Sequence, residues 1–208
     1  MLQKQAVEPG TFSLLKELMS LPFLQEGALV GGTALALIYG HRKSIDLDIF
    51  LPNKPNWDEL LEQLINHFNT RFYFEKRQIS IGIFGFIDNI KVDIVYYPHK
   101  LLYPLTIEDT IRLYHPLDIA AMKVNAILGR GKKKDFWDMA TLLNHFNLDN
   151  IISAYQAKFP KQQLLISIPN ALLYFEDAET SEEPDCFLGK SWLQVKQKIE
   201  QEVNAYLS

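Results

Sequence analysis

Val30-Gly31-Gly32-Thr33-Ala34-Leu35-Ala36-Leu37, followed by Ser44-Ile45-Asp46-Leu47-Asp48-Ile49-Phe50, is the stretch from which the fold is read. A glycine turn opens a short apolar helix over residues 33–39, and a strand then carries two carboxylates two residues apart. Side chains alternate along a strand, so Asp46 and Asp48 share a face, with Cα atoms roughly 6–7 Å apart. The apolar residues around them bury the opposite face. A helix N-terminus offers unpaired N–H groups and a positive dipole end to a phosphate. Paired carboxylates can hold Mg²⁺, and the combination suits chemistry on a nucleoside triphosphate. Taken alone, each segment also describes an ordinary turn and an ordinary strand with a solvated outer face.

A second alternating segment, Ile90–Tyr96, puts Val92, Ile94 and Tyr96 on one face and Lys91, Asp93 and Val95 on the other. Asp93 would add a third carboxylate from a neighbouring strand. Acid clusters of this kind bridge metal ions about 3.5–4 Å apart. Carboxylates packed so closely repel and raise one another's pKa, so the cluster makes better sense with metal present.

Four segments in order resemble the AbiEii/AbiGii toxin group of nucleotidyltransferases, within the polymerase-β-like superfamily. The first is the opening stretch itself, including Gly40-His41-Arg42-Lys43 before the acid pair. Lys91-Val92-Asp93 is similar to the second motif, Ala120-Ala121-Met122-Lys123-Val124-Asn125-Ala126-Ile127 to the third, and Arg130-Gly131-Lys132-Lys133-Lys134-Asp135-Phe136-Trp137-Asp138 to the fourth. They span residues 30 to 138, about half the chain.

The resemblance implies roles for particular residues. Gly31, Gly32 and Thr33 would cradle the β- and γ-phosphates, and Arg42 and Ser44 would touch the triphosphate. Asp46, Asp48 and Asp93 would bind Mg²⁺ or Mn²⁺, with Asp93 also a candidate to deprotonate the attacking hydroxyl. Lys123 would neutralise phosphate charge, and Asp135 would position Lys123 or a base.

The residues of the later motifs also have a reading of their own. Residues 116–128 read as a helix, with Pro116 in its first turn and Gly129 just past its end. Lys123 sits between Ile119 and Ile127 on this mostly apolar helix, so it must snorkel to water or meet an anion. Residues 130–134 hold four positive charges. They either complement a helix dipole in solvent or contact triphosphate or RNA. Asp135 and Asp138 share the next helix face, where one can pair with a lysine of that run.

Bulk properties bound the answer. With 208 residues, 48% of them hydrophobic, the chain can bury one sizeable core. A net charge of −4 argues against wholesale nucleic-acid binding but allows a local basic groove. The single Cys186 cannot form an internal disulfide, which fits a reducing cytoplasm. No zinc-ligand spacing or secretory signal is evident, and the longest apolar stretch, residues 28–39, is too short to span a bilayer.

The expected layout is α+β: a small mixed sheet flanked by helices in a nucleotidyltransferase-like core over residues 1–115, then a C-terminal helical subdomain over 116–208. Helices are expected at 11–19 and Trp57–Phe68, the latter with Trp57, Leu60, Leu61, Leu64, Ile65 and Phe68 in one stripe. Strands are expected at Ala28–Val30, 71–75, 78–87 and 90–97, the last two joined by an Asp88-Asn89 turn. Gly82 and Gly85 mark bulges or close approach of a ligand. Helical apolar spacing continues at 136–146 and 164–175, and the acidic residues 176–185 read as a surface loop. Ser191 and Gln194 form a capping box opening a final helix.

The sequence therefore predicts a metal-dependent transferase that moves an NMP from an NTP to an acceptor hydroxyl. By resemblance the acceptor is RNA, including tRNA ends, and the protein is a toxin countered by a separately encoded antitoxin. Three alternatives stay open: a stand-alone transferase acting on a protein or small molecule, a non-catalytic nucleotide-binding module, and a metal-dependent nuclease.

Overall fold

The alternation becomes the central strand of a seven-stranded mixed sheet over Leu47–Leu51, while Ile45, expected on its buried face, precedes the strand and is exposed. The structure is a computed structural model that describes residues 1–74, 80–129 and 131–208. Along the chain, α1 (Pro9–Ser20) leads into β1 (Ala28–Val30), α2 (Gly31–Tyr39), β2 (Leu47–Leu51) and α3 (Trp57–Phe68). The meander β3 (Phe72–Phe74), β4 (Gly82–Ile87) and β5 (Ile90–Tyr96) follows, then a small hairpin, β6 (Thr106–Glu108) and β7 (Ile111–Leu113). The remainder is helical: α4 (Pro116–Gly129), α5 (Lys133–Leu142), α6 (Leu148–Lys158), α7 (Ile168–Leu172), α8 (Glu176–Glu179) and α9 (Trp192–Leu207). Parts of the strands expected at 71–75 and 78–87, and Arg130 of the basic run, lie outside the described residues.

Strand order is β3-β4-β5-β2-β1-β7-β6. The β2–β5 and β1–β7 pairs are parallel and the others antiparallel. In β2 the alternation sorts Leu47, Ile49 and Leu51 onto a buried face and Asp48 and Phe50 onto the other. The buried face continues through Val92, Ile94, Ile83 and Ile87, against which α3 packs. Helix α3 is amphipathic and capped: the Asn56 side chain accepts from Asp58 N–H, and Asp58 and Glu59 suit its positive end. It buries Trp57, Leu60, Leu64 and Phe68, while Leu61 is half-buried and Ile65 exposed. Burying one such leucine contributes about 1.5–3 kcal/mol, so Leu64→Ala would cost roughly 2–5 kcal/mol.

Turns follow from residue type. Asp88 and Asn89 both have positive φ, 51° and 63°, which matches the right-handed twist of the β4–β5 hairpin. Asp109 and Thr110 repeat this at 53° and 69° between β6 and β7. Gly82 and Gly85 do not mark bulges. The ladder runs through both, and an added Cβ would meet Ile94 O at 2.6 Å or Tyr73 O at 2.7 Å. The ligand expected there is replaced by a neighbouring strand's backbone.

The acidic residues 176–185 are not simply a loop. They begin with α8, whose Ala178 is fully buried, and end in a strap. In the strap Lys43 N–H donates to Asp185 O and Phe187 N–H to His41 O, around an Arg42–Cys186 bridge. The expected Ser191–Gln194 capping box opens α9, which buries Trp192, Val195, Ile199 and Val203. One apolar core runs from the sheet into these helices. Among the described residues, no helix is long and apolar enough to cross a membrane.

Candidate functional site

The glycine turn lies where β1 ends and α2 begins, and each glycine gives room to a charged group. Gly31 has φ +73°, and a Cβ on it would sit 2.6 Å from Asp48 Oδ2. On Gly32 a Cβ would lie 2.1 Å from Arg42 Nη2. The chain therefore passes a carboxylate and a guanidinium at a range no other residue allows. Thr33 is buried, and its hydroxyl bonds both Ser44 Oγ, at 2.8 Å, and the carbonyl of Asp46. It pins the segment before β2 to the start of α2. The first N–H groups of α2 have no intrahelical partner and supply the dipole's positive end.

Asp48 and Asp93 are register partners on the parallel pair β2–β5. Burial, then the charge of Asp93, pushes the Asp48 carboxyl above the usual carboxylate range. Asp93 Oδ1 is buried with no hydrogen-bond partner, while its Oδ2 accepts from Lys91 Nζ. Burial pulls the Lys91 amine down, but the bond to Asp93 and the neighbouring carboxylates hold it above its ordinary value. Asp46 falls one residue before β2, at the rim, with Lys134 Nζ 3.8 Å from its Oδ2.

An orphaned buried oxygen beside a carboxylate raised by burial and by its neighbour's charge is an arrangement that a divalent cation relieves. Asp48 and Asp93 thus fit two ligands of such an ion. Among the described residues no three carboxylate, histidine or cysteine groups converge as a metal cluster.

Behind the turn lies a buried ionic cluster centred on Asp138. Its Oδ1 accepts from Arg42 Nε at 2.7 Å and lies 2.7 Å from His41 Nε2. Its Oδ2 accepts from Arg42 Nη2 at 2.9 Å and meets Lys123 Nζ at 2.6 Å. Lys123 also donates to Asp135 Oδ1 at 2.9 Å. Burial works against the Asp138 charge, but Arg42 and Lys123 overrule it and hold the carboxyl well below its ordinary range. Lys123 rises for the reciprocal reason: burial would lower it, and Asp138 and Asp135 reverse that.

The sequence missed this cluster's centre. The shared face of Asp135 and Asp138 was visible, but the partners of Asp138 are Arg42 and Lys123, not a lysine of the basic run. His41 was not singled out. Within the run, Lys134 reaches the cleft, Lys132 is exposed, and Lys133 turns to Glu183, 3.5 Å away, and the Trp192 ring.

These groups enclose a cleft of about 200 Å³. Gly31, Gly32, Thr33, Arg42, Ser44, Asp46 and Asp48 form one side. Helices α4 and α5 contribute Ile119, Met122, Lys123, Ala126, Lys134 and Asp135 from the other. Asp93 lies beyond the lining, next to Asp48. Acid, base and unpaired helix N–H groups thus surround one small space with a partly apolar wall.

A family model for the nucleotidyl transferase AbiEii toxins of type IV toxin–antitoxin systems matches residues 13–205. An uncharacterized protein of Aquifex aeolicus (strain VF5), aq_aa25, is 30% identical over 199 residues, covering 93% of this chain and 94% of its own length. The solved structure of MenT4, a nucleotidyltransferase toxin of Mycobacterium tuberculosis, is similar with a TM-score of 0.60 at 12% identity, over 94% of this chain and 84% of that one. JHP933 from Helicobacter pylori gives a TM-score of 0.50 at 20% identity, with all of both chains covered. At these identities the two structures speak to the fold.

Proposed function

Because the chain belongs to the AbiEii family of nucleotidyl transferase toxins, we propose that it transfers the NMP moiety of an NTP to a hydroxyl of RNA, with tRNA ends as candidate acceptors. The observation that carries this reading is the in-register Asp48–Asp93 pair beside the glycine turn and the N-terminus of α2.

In this mechanism the acceptor oxygen forms a bond to the α-phosphorus, and the bond from that phosphorus to the α–β bridging oxygen breaks, releasing pyrophosphate. The backbone of Gly31, Gly32 and Thr33 receives phosphate oxygens at the helix N-terminus. Lys123 and Lys134, on the facing wall, offset triphosphate charge. Asp138 fixes the Arg42 fork and the Lys123 amine, so both are in place before substrate arrives. The acceptor proton passes to a carboxylate, and Asp93 Oδ1 is the oxygen without a partner. Asp48 and Asp93, with Asp46 at the rim, would hold Mg²⁺ or Mn²⁺, which when bound offsets charge on the attacking and leaving oxygens. Activity in the cytoplasm as a toxin countered by a separately encoded antitoxin completes the proposal.

The test is a transfer assay with Mg²⁺, each α-³²P-labelled NTP and total cellular RNA. Label entering RNA with wild type, but not with Asp48→Asn or Asp93→Asn, supports the reading. Label on protein redirects it to a protein-modifying transferase. Binding of NTP without transfer from any nucleotide points to a nucleotide-binding module, a reading favoured by the engagement of Asp93 with Lys91 and Asp46 with Lys134.

A further inference from the structure

The face of the sheet that bears Asp48 and Asp93 continues, away from the cleft, into exposed aromatic residues. Register establishes this. Asp93 pairs with Asp48 on one side and with Phe84 on the other. Lys91 pairs with Phe86, and Phe86 with Tyr73. Cross-strand partners project from the same face, so Asp93, Phe84, Lys91, Phe86 and Tyr73 form one surface. Tyr73 is 61% exposed, Phe84 47% and Phe86 43%, whereas Ile83 and Ile87 on the opposite face are buried.

These three rings lie on the side of the sheet away from its buried face. Their placement is directional. Helices α4 and α5 wall the cleft on one side, with Met122, Lys123 and Lys134 among its lining. On the side of Asp93 away from that cleft lie β4 and β3. Strands lie about 4.8 Å apart, so Phe84 stands about one strand spacing from Asp93, and Tyr73 about two strand spacings across and two residues along. Aromatic rings beside a lysine, leading to a phosphate-handling centre, suit unpaired nucleobases, because every base has a face to stack and every linkage a charge to meet.

We propose that Tyr73, Phe84 and Phe86 form a stacking platform for the unpaired bases at one end of a single-stranded nucleic acid, whose terminal hydroxyl is delivered to Asp93. This rests on the transferase reading above and assigns its acceptor a binding surface. Lys91 holds Asp93 while the platform is empty and is placed to turn to a backbone phosphate when it fills.

The experiment measures binding separately from transfer. A short fluorescein-labelled single-stranded RNA, and a duplex of the same sequence, are titrated by anisotropy with wild type and with Tyr73→Leu, Phe84→Leu and Phe86→Leu. Leucine keeps apolar surface and removes the ring face. The single strand should bind better than the duplex, and each substitution should weaken it about tenfold. Melting curves and NTP binding should match wild type. Phe84→Trp should keep affinity, and because Trp57, Trp137 and Trp192 are buried, quenching of its emission by RNA reports stacking directly.

Affinities unchanged in all three leucine variants would overturn the proposal. So would wild type that ignores RNA but self-associates, or binds a protein, through these rings. Transfer to RNA with an unaltered acceptor KM in the variants would retain the transferase and discard the platform. Ring-dependent RNA binding without any transfer would do the reverse.

Discussion

Replacing Asp138 by asparagine keeps its shape and deletes one buried charge. Arg42 and Lys123, each less than a tenth exposed, then face a neutral amide. Breaking a buried pair by removing one partner costs about 3–5 kcal/mol, because the remaining charge stays desolvated. Lys123 keeps Asp135, which places the expected loss near the low end, about 3 kcal/mol. For a chain of this size each kcal/mol moves the melting temperature by about 2–4 °C, so Asp138→Asn should melt about 6–12 °C below wild type. Circular dichroism at neutral pH reads this directly.

The pH dependence gives a second check. The Asp138 carboxyl is depressed in the folded state, so its contribution is present above its unfolded pKa and is lost as pH falls through the lower folded value. The gap between wild type and variant should therefore hold from pH 7 to 5 and close only below about pH 4. Melting temperatures that coincide at pH 7, or a gap that closes between pH 7 and 5, would refute the cluster as described.

Other outcomes follow from the same geometry. Gly31→Ala forces a positive φ on a residue with a Cβ and drives it into Asp48, so transfer should fall at least tenfold, with a stability loss of about 1–3 kcal/mol by urea unfolding. Asp48→Asn should raise the melting temperature in EDTA, because burial disfavours the native carboxylate; the gain should shrink as pH falls and wild-type Asp48 protonates. Added Mg²⁺ should stabilise wild type and leave that variant unmoved, and equal responses would count against Asp48 as a ligand. Ser191→Ala removes the α9 capping box and should cost about 1 kcal/mol with transfer unchanged.

Local signals carried much of the fold. Periodicity and an asparagine cap delimit α3, and the Asp88-Asn89 pair places the β4–β5 turn. The β6–β7 hairpin was not anticipated, because strands of three residues are too short to display alternation. The buried Ala178 that seats α8 is hidden in an acidic run whose composition resembles a solvated loop. At the site, the Asp48–Asp93 adjacency was inferred from two alternating strands and is present in the register. The Arg42–Asp138 bond joins residues 96 apart, and no local pattern distinguishes a charge with a distant buried partner from one facing substrate or water. Gly32 could be read as a turn residue, but not as room for a guanidinium.

The strap that pairs Arg42 with Cys186 has a consequence for the order in which this molecule is made. A ribosome delivers Gly31, Asp48 and Asp93 early, Asp138 after about two thirds of the chain, and the residues backing His41 and Lys43 later still. Domains fold as units, beginning at the N-terminus during synthesis at about 5–20 residues per second. A nascent chain therefore presents these carboxylates, with Arg42 and Lys91, before Lys123, Lys134 and the backbone clamp of the opposite wall.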